Sequence, residues 1–254
     1  MKDSGPLGLS AGDRGGVFFL HGEDHFRKEE AGKALVQWHL DPATRDFNLD
    51  VLRGSEASIE AVASVLATPP MMAEWRVVVL QEVEALASSP KAREVIVSVA
   101  RKPPPGLALI LLATIPSQSR ARFYSDLKRL ARSVEFQEIS PNDVPAWLVE
   151  WARDQHDMVL EESAARALGA AVGTDLGVLA QEVEKLSSVV DSGEPITLEV
   201  VKRAGTRIPA QDRWEWMDLV GSRAFKKALE GLPVLISQGE SGVYLSMGLA
   251  THLL

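Results

Sequence analysis

Seven consecutive apolar residues, Leu107-Ala-Leu-Ile-Leu-Leu-Ala113, restrict what this chain can fold into more than any other stretch. A strand sends alternate side chains to opposite faces, so an unbroken apolar run of this length reads as a strand covered on both sides. It is too short for a bilayer, which needs roughly 18–20 apolar residues, and no other run approaches that length. Further short apolar runs stand at 17–20, 45–52, 76–80 and 133–136, and helical patterns lie between them at 27–38, 58–66, 91–100 and 120–131. Ser55 and Ser58 each stand where they can cap the second of these helices. Regular alternation of the two patterns predicts an α/β domain, a parallel sheet with helices on both faces.

The texture changes at Ser140-Pro-Asn-Asp-Val-Pro145. Beyond it only helical patterns occur, at 144–156, 161–172, 175–190 and 197–204, then at 213–220, 223–237 and 242–254. Ser140 and Asn142, Asp175 and Thr197 are start signals, and Gly173 and the 191–195 stretch are stops. A chain of 254 residues exceeds one typical domain. The expected division is a flexible lead-in at 1–16, an α/β domain at 17–140, a small helical bundle at 141–207 and a further helical domain at 208–254. The last of these ends in mid-helix on Leu253-Leu254, which reads as a truncated domain. Trp147 and Trp151, four apart, read as bundle core, and Trp214 and Trp216 as packing residues of the last segment.

Composition removes several chemistries. With no cysteine there is no disulfide, thiolate zinc site or cysteine nucleophile. The histidines at 21, 25, 39, 156 and 252 make no metal motif; His21 and His25 stand four apart, but across an expected turn. No nucleophile–base pair is apparent, and acidic pairs such as Glu182 and Glu184 belong to polar helix faces, so no catalytic site or metal is expected. The first residues lack the apolar region of a signal peptide, which makes the cytoplasm the expected compartment. A net charge of −8 is the opposite of what a protein binding DNA alone usually carries. Contact with nucleic acid would need other subunits or a local basic patch. Arg120, Arg122, Lys128 and Arg129 offer one, readable either as a solvated helix face or as a contact to DNA or a neighbouring subunit.

After the first strand the chain almost spells a phosphate loop. A working G-x-x-x-x-G-K-[ST] loop wraps phosphates in backbone N–H groups, reaches them with the lysine and holds magnesium with the hydroxyl. Here Gly22 and Lys28 are in place, but Arg27 replaces the second glycine and Glu29 the hydroxyl. The arginine would crowd the cradle and the glutamate would bring a negative charge to the phosphates. The acidic residue expected after a second buried strand is Gln81. Defects in both halves of the site argue against ATP as a cofactor.

Six blocks in order, "VFFLHGEDHFRKEEA", "FNLDVLRGSEAS", "VLATPPMMAEWRVVVLQEVEAL", "ALILLATIPSQSRARFYSDLKRL", "VPAWLVEWA" and "GTDLGVLAQEVEKL", resemble the delta subunit of the bacterial DNA polymerase III clamp loader. The resemblance runs from Val17 to the end. It implies an AAA+-like α/β domain, a helical lid and a helical collar, with a nucleotide site that has lost its function. It also implies a role: gripping and opening the sliding clamp (the beta subunit) for loading onto primed DNA, beside the gamma/tau and delta prime subunits of the replisome. Such a subunit has no catalysis of its own and is a polymerase component by membership only. Sibling subunits carry a cysteine zinc module and a Ser-Arg-Cys motif; the chain has no cysteine and reads Ala131-Arg-Ser-Val134 there.

In that family the clamp is held by two adjacent apolar residues on the first turn of a helix, matching Met71 and Met72. Thioether side chains suit an apolar pocket, and Pro69-Pro70 suits a helix start. From the residues alone the two methionines read as ordinary core. The resemblance makes them the anchor, with Pro70, Ala73, Trp75 and Arg76 as the rim, or with Trp75 packed inside. The alternative function is an active AAA+ ATPase of replication or repair, which requires ATP affinity dependent on Lys28.

Overall fold

The computed structural model describes residues 5–115, 119, 121–191, 193–205 and 213–237, together with 242, 245, 246, 248 and 249. It divides into two compact units, residues 1–138 and 139–254.

In the first unit β1 (Gly16–Gly22), β2 (Leu49–Arg53), β3 (Arg76–Gln81), β4 (Leu107–Ala113) and β5 (Arg132–Phe136) form a parallel sheet in the order β2-β3-β4-β1-β5. Every residue of β4 is buried, as its composition requires. Alternate residues separate into two cores. Phe19, Val78, Leu80, Leu109 and Leu111 meet residues of α3 (Ile59–Ala67), α5 (Pro90–Arg101) and α6 (Arg122–Leu130), including Leu66, Ile96 and Leu127. Phe18, Leu20, Val77, Ile110 and Leu112 meet Leu35 and Val36 of α1 (His25–His39) on the other face. Each fully buried Leu, Ile or Phe contributes about 1.5–3 kcal/mol, so the expectation of a doubly covered sheet rests on the largest favourable term in the fold.

Two short helices complete the unit, α2 (Arg45–Asn48) and α4 (Val83–Leu86). The first corrects the expected strand at 45–52. Arg45–Asn48 makes a helical turn, and extended backbone begins at Leu49. Thr44 accepts Asn48 Nδ2 through its carbonyl oxygen, an i to i+4 contact that closes the turn. The flexible lead-in is also corrected, for residues 5–15. They form 3-10 turns at Pro6–Gly8 and Ala11–Asp13, Leu9 joins the α1 core, and Arg14 lies over the Trp38 ring at 5.4 Å. Gly15 donates its N–H to His39 Nε2 at 2.9 Å. Its φ of +73° and the Trp75 ring, 2.1 Å from where a Cβ would stand, leave room for glycine alone.

The second unit holds α7 (Val144–His156), α8 (Glu162–Val172), α9 (Leu176–Ser187), α10 (Leu198–Ala204), α11 (Arg213–Gly221) and α12 (Phe225–Ser237). Asp175 and Thr197 cap α9 and α10 through Val178 N and Val200 N, and Gly173 ends α8, as their positions suggest. Ser140 and Asn142 do not cap α7; its N-cap is Asp143, whose side chain makes no capping bond. Leu148, Leu168, Leu179, Val183 and Leu186 are buried, and the Trp147 and Trp151 rings stack at 5.3 Å. Trp216, Met217, Ala228, Leu235 and Leu245 form a separate cluster, with Trp216 Nε1 donating to Ala228 O. The Trp214 side chain and most of the expected helix at 242–254 lie outside the described residues. Among the described residues no helix is long and apolar enough to cross a membrane.

Candidate functional site

The β1–α1 turn carries Gly22, Arg27, Lys28 and Glu29, and the geometry explains each departure from a phosphate loop. Gly22 adopts a φ of +129°, and a Cβ there would lie 2.1 Å from Phe136 O. The turn is therefore pressed against the end of β5, and Asp24 N donates to Phe136 O at 3.1 Å. Asp24, which sequence reasoning passed over, is the N-cap of α1. Its carboxylate accepts Arg27 N at 2.9 Å. A helix N-terminus favours an anion, and here the anion is this side chain, 8% exposed. The Asp-x-x pattern opening a helix was the available signal.

Arg27 folds back onto Asp24 and donates to Gln137 O, so it ties the turn to the chain beyond β5 and does not fill the cleft as expected. Lys28 is 3% exposed. Its ammonium donates to Gly22 O at 2.9 Å, to Ala113 O at 3.0 Å and to Thr114 Oγ1 at 3.0 Å. An ammonium has three protons, and these three acceptors take them. Desolvation lowers the Lys28 pKa, against the opposing pull of Glu84, Glu29 and Asp24. Glu29 is exposed and does not occupy the helix terminus; that place belongs to Asp24.

Beside Lys28 lies a cleft of about 250 Å³, lined by His25, Glu29, Arg53, Gln81, Glu82 and Glu84 among others. Gln81 reaches it from the end of β3, as the sequence suggested. Its carbonyl accepts Gly54 N at 2.8 Å. Glu84 accepts the Thr114 N–H at 3.0 Å, and Glu82 faces Ser55 and Arg53. Ser55 thus serves this corner, while Ser58 alone caps α3. His21 is buried in β1 with Nε2 on Ser133 Oγ, whereas His25 is exposed at the start of α1.

The methionines stand elsewhere. Met71 is 55% and Met72 93% exposed, so neither belongs to the core. They occupy a bend at 71–74, and the expected helix is absent: after α3 ends at Ala67 the chain makes no further helix before β3. Pro69 and Pro70 carry no backbone N–H, so α3 cannot run on through them, and the backbone of Met71 bonds to the Asn48 side chain in place of a new helical turn. The bend is held by Asn48, fully buried, whose Oδ1 accepts Met71 N at 2.6 Å and whose Nδ2 donates to Met71 O at 2.9 Å. Met72 has a φ of +54°.

Of the expected rim, Pro70 packs by Gly106, and Ala73 is half-buried. Trp75 turns inward onto Gly15 and His39, its ring edge-on to the imidazole at 5.8 Å. Arg76 donates to Phe47 O at 3.0 Å and pairs with Asp50, and so braces the corner and is itself little exposed. Trp75 and Arg76 therefore belong to the packing of this corner and do not form an exposed rim. Phe47, 63% exposed, is an apolar neighbour that the sequence did not single out.

The basic residues are partly offset. Arg122 and Arg129 both reach Asp126, at 3.6 and 3.1 Å, and Lys128 is exposed on the same helix. Helix α6 starts at Arg122, and Arg120 lies outside the described residues, as does most of the preceding loop at 116–120.

The first unit is a five-stranded parallel α/β domain whose β1–α1 turn is closed by the Asp24 cap and by the internal hydrogen bonds of Lys28. Residues 18–137, most of the first unit, match the family model for "DNA polymerase III, delta subunit", and in this unit the chain is similar to that family. The DNA polymerase III subunit delta of Bacillus subtilis (strain 168) is 25% identical over 242 residues, covering 92% of this chain and 70% of the relative. The solved structure of the Bacillus subtilis DNA clamp loader delta protein aligns with a TM-score of 0.67 at 24% identity, over 94% of this chain and 73% of that one. The structural likeness establishes the shared fold.

Proposed function

We propose that this chain is a non-catalytic clamp-loader subunit that binds the sliding clamp through Met71 and Met72 and helps to open it for loading onto primed DNA, without binding ATP itself. The observation that carries the reading is the display of two adjacent methionines, 55% and 93% exposed, on a bend whose backbone is held from below. A few apolar side chains entering a pocket can dominate an interface, and an unsupported pair would lose affinity to the entropy of its own ordering. The internal bonding of Lys28 and the Asp24 cap support the second half of the reading. A phosphate would have to displace both a carboxylate and three hydrogen bonds.

Its partners are then the sliding clamp, the gamma/tau and delta prime subunits, and primed DNA within the assembly, in the cytoplasm at the replisome. The lid and collar roles fall to residues 141–207 and 208–254, and Arg122, Lys128 and Arg129 are candidates for DNA or neighbour contact. Titration of purified clamp onto the chain, with and without ATP and magnesium, tests the proposal. Equal affinity in both conditions, lost on combining Met71→Ala with Met72→Ala, is the expected result. A double variant that binds like the parent removes the anchor. ATP binding at millimolar concentration that depends on Lys28 removes the nucleotide-free reading and favours an active AAA+ ATPase.

A further inference from the structure

Asn48 is 0% exposed and spends its whole amide on backbone. Oδ1 accepts from Met71 N, and Nδ2 donates to Met71 O and to Thr44 O, each at 2.9 Å. The peptide planes before and after Met71 are thereby both pinned, although the segment has no helix or strand bonding of its own. The second plane leads into Met72, whose φ of +54° costs roughly 1–2 kcal/mol for a residue with a Cβ. Such a conformation persists where its surroundings over-determine it. Arg76 adds a second tie on the same corner through Phe47 O and Asp50. The task needs one acceptor and two donors in one short planar group. Asparagine alone supplies that at this length: aspartate would turn an oxygen toward two carbonyl oxygens, and serine cannot reach both.

We infer that Asn48 is a positioning residue for clamp binding, holding the Met71–Met72 bend in its binding shape before the clamp arrives. The inference rests on the anchor reading above and adds the residue through which that anchor is preorganised. Loss of the strut spreads the bend over other conformers, and the apparent Kd rises as the competent fraction falls. About a tenfold weakening is expected for Asn48→Ala.

Two measurements on the full chain test it. Amide hydrogen exchange of the free wild-type protein should show Met71 N–H protected like a strand amide; exchange at the rate of an open chain overturns the inference without any variant. Clamp affinity is then measured for Asn48→Ala, Met72→Ala and their combination. Asn48→Ala should weaken binding about tenfold, release Met71 N–H while β4 amides stay protected, and add little in the Met72→Ala background. Full additivity, or an unchanged Kd for Asn48→Ala beside a weakened Met72→Ala, overturns it. Asn48→Asp gives the same comparison in a side chain of equal volume should the alanine variant fail to fold. If the Met71→Ala, Met72→Ala double variant binds normally, the anchor reading itself has failed, a result separable from the exchange data.

Discussion

Replacing Lys28 by methionine keeps the length of the side chain and removes only its ammonium, which isolates the three internal hydrogen bonds. Hydrogen bonds to a charged group contribute about 1.5–3 kcal/mol each, but an ammonium taken from water loses several kcal/mol of hydration. The net value of the group is therefore well below the sum of its bonds. The cost of Lys28→Met lies mainly in the acceptors left behind, Gly22 O, Ala113 O and Thr114 Oγ1. At about 1 kcal/mol or slightly more for each stranded acceptor, and with partial relief from the adjoining cleft, the loss comes to about 2–4 kcal/mol. That is a large part of the 5–15 kcal/mol typical of a domain. Urea unfolding followed through protection of the β4 amides reads the α/β unit alone, and Glu29→Ala, on the exposed side of the same helix, serves as the control expected within about 0.5 kcal/mol of wild type. An unchanged or more stable Lys28→Met protein would refute the reasoning. So would a wild-type chain stabilised by ATP and magnesium in a way that the variant is not, since a ligand that binds only the folded state must raise its stability.

Burial is the first cause lowering the pKa values of His39 and His21. The unfolded chain takes up protons near 6.5 while the folded one does not, so this stability is present above pH 6.5 and is lost as pH falls through the lowered folded-state values. The acid slope of a stability–pH profile should flatten in His39→Gln and again when His21→Gln is added. Met72→Gly relieves a φ of +54° and should leave thermal stability equal or up to about 1 kcal/mol higher while clamp binding weakens, as unfolding and titration of one sample would show. Asp24→Ala removes the α1 cap and the partner of Arg27, and a loss of about 1–2 kcal/mol is expected in urea. Gly15→Ala forces a Cβ into the Trp75 ring at a positive φ and should lower the melting temperature while the β-sheet signal in circular dichroism persists below it.

The sheet was legible because its evidence is local. Seven apolar residues in β4 can be satisfied in few ways, and the runs at β1 and β3 repeat the pattern. The 45–52 stretch misled because Phe47 and Leu49 to Leu52 look strand-like together, while the turn depends on Thr44 and Asn48. Departures from a phosphate loop were visible at Arg27, Glu29 and Gln81, but their consequences were not. Lys28 meets Ala113 and Thr114 across 85 and 86 residues, and no spacing rule connects them. Asn48 is the same case at 23 residues. The display of Met71 and Met72 followed from family resemblance, whereas apolarity alone places such residues inside.

A nucleotide-driven joint changes shape because its ligand bonds one conformation better than another. At the β1–α1 corner the bonds that would report such a ligand already run from Lys28 to Gly22, Ala113 and Thr114. On the reading proposed above, this subunit keeps no internal clock: its hold on the clamp has the same strength at every stage of its neighbours' cycle. Letting go must then be imposed from outside, by a competitor for the methionines or by mechanical load from the rest of the machine.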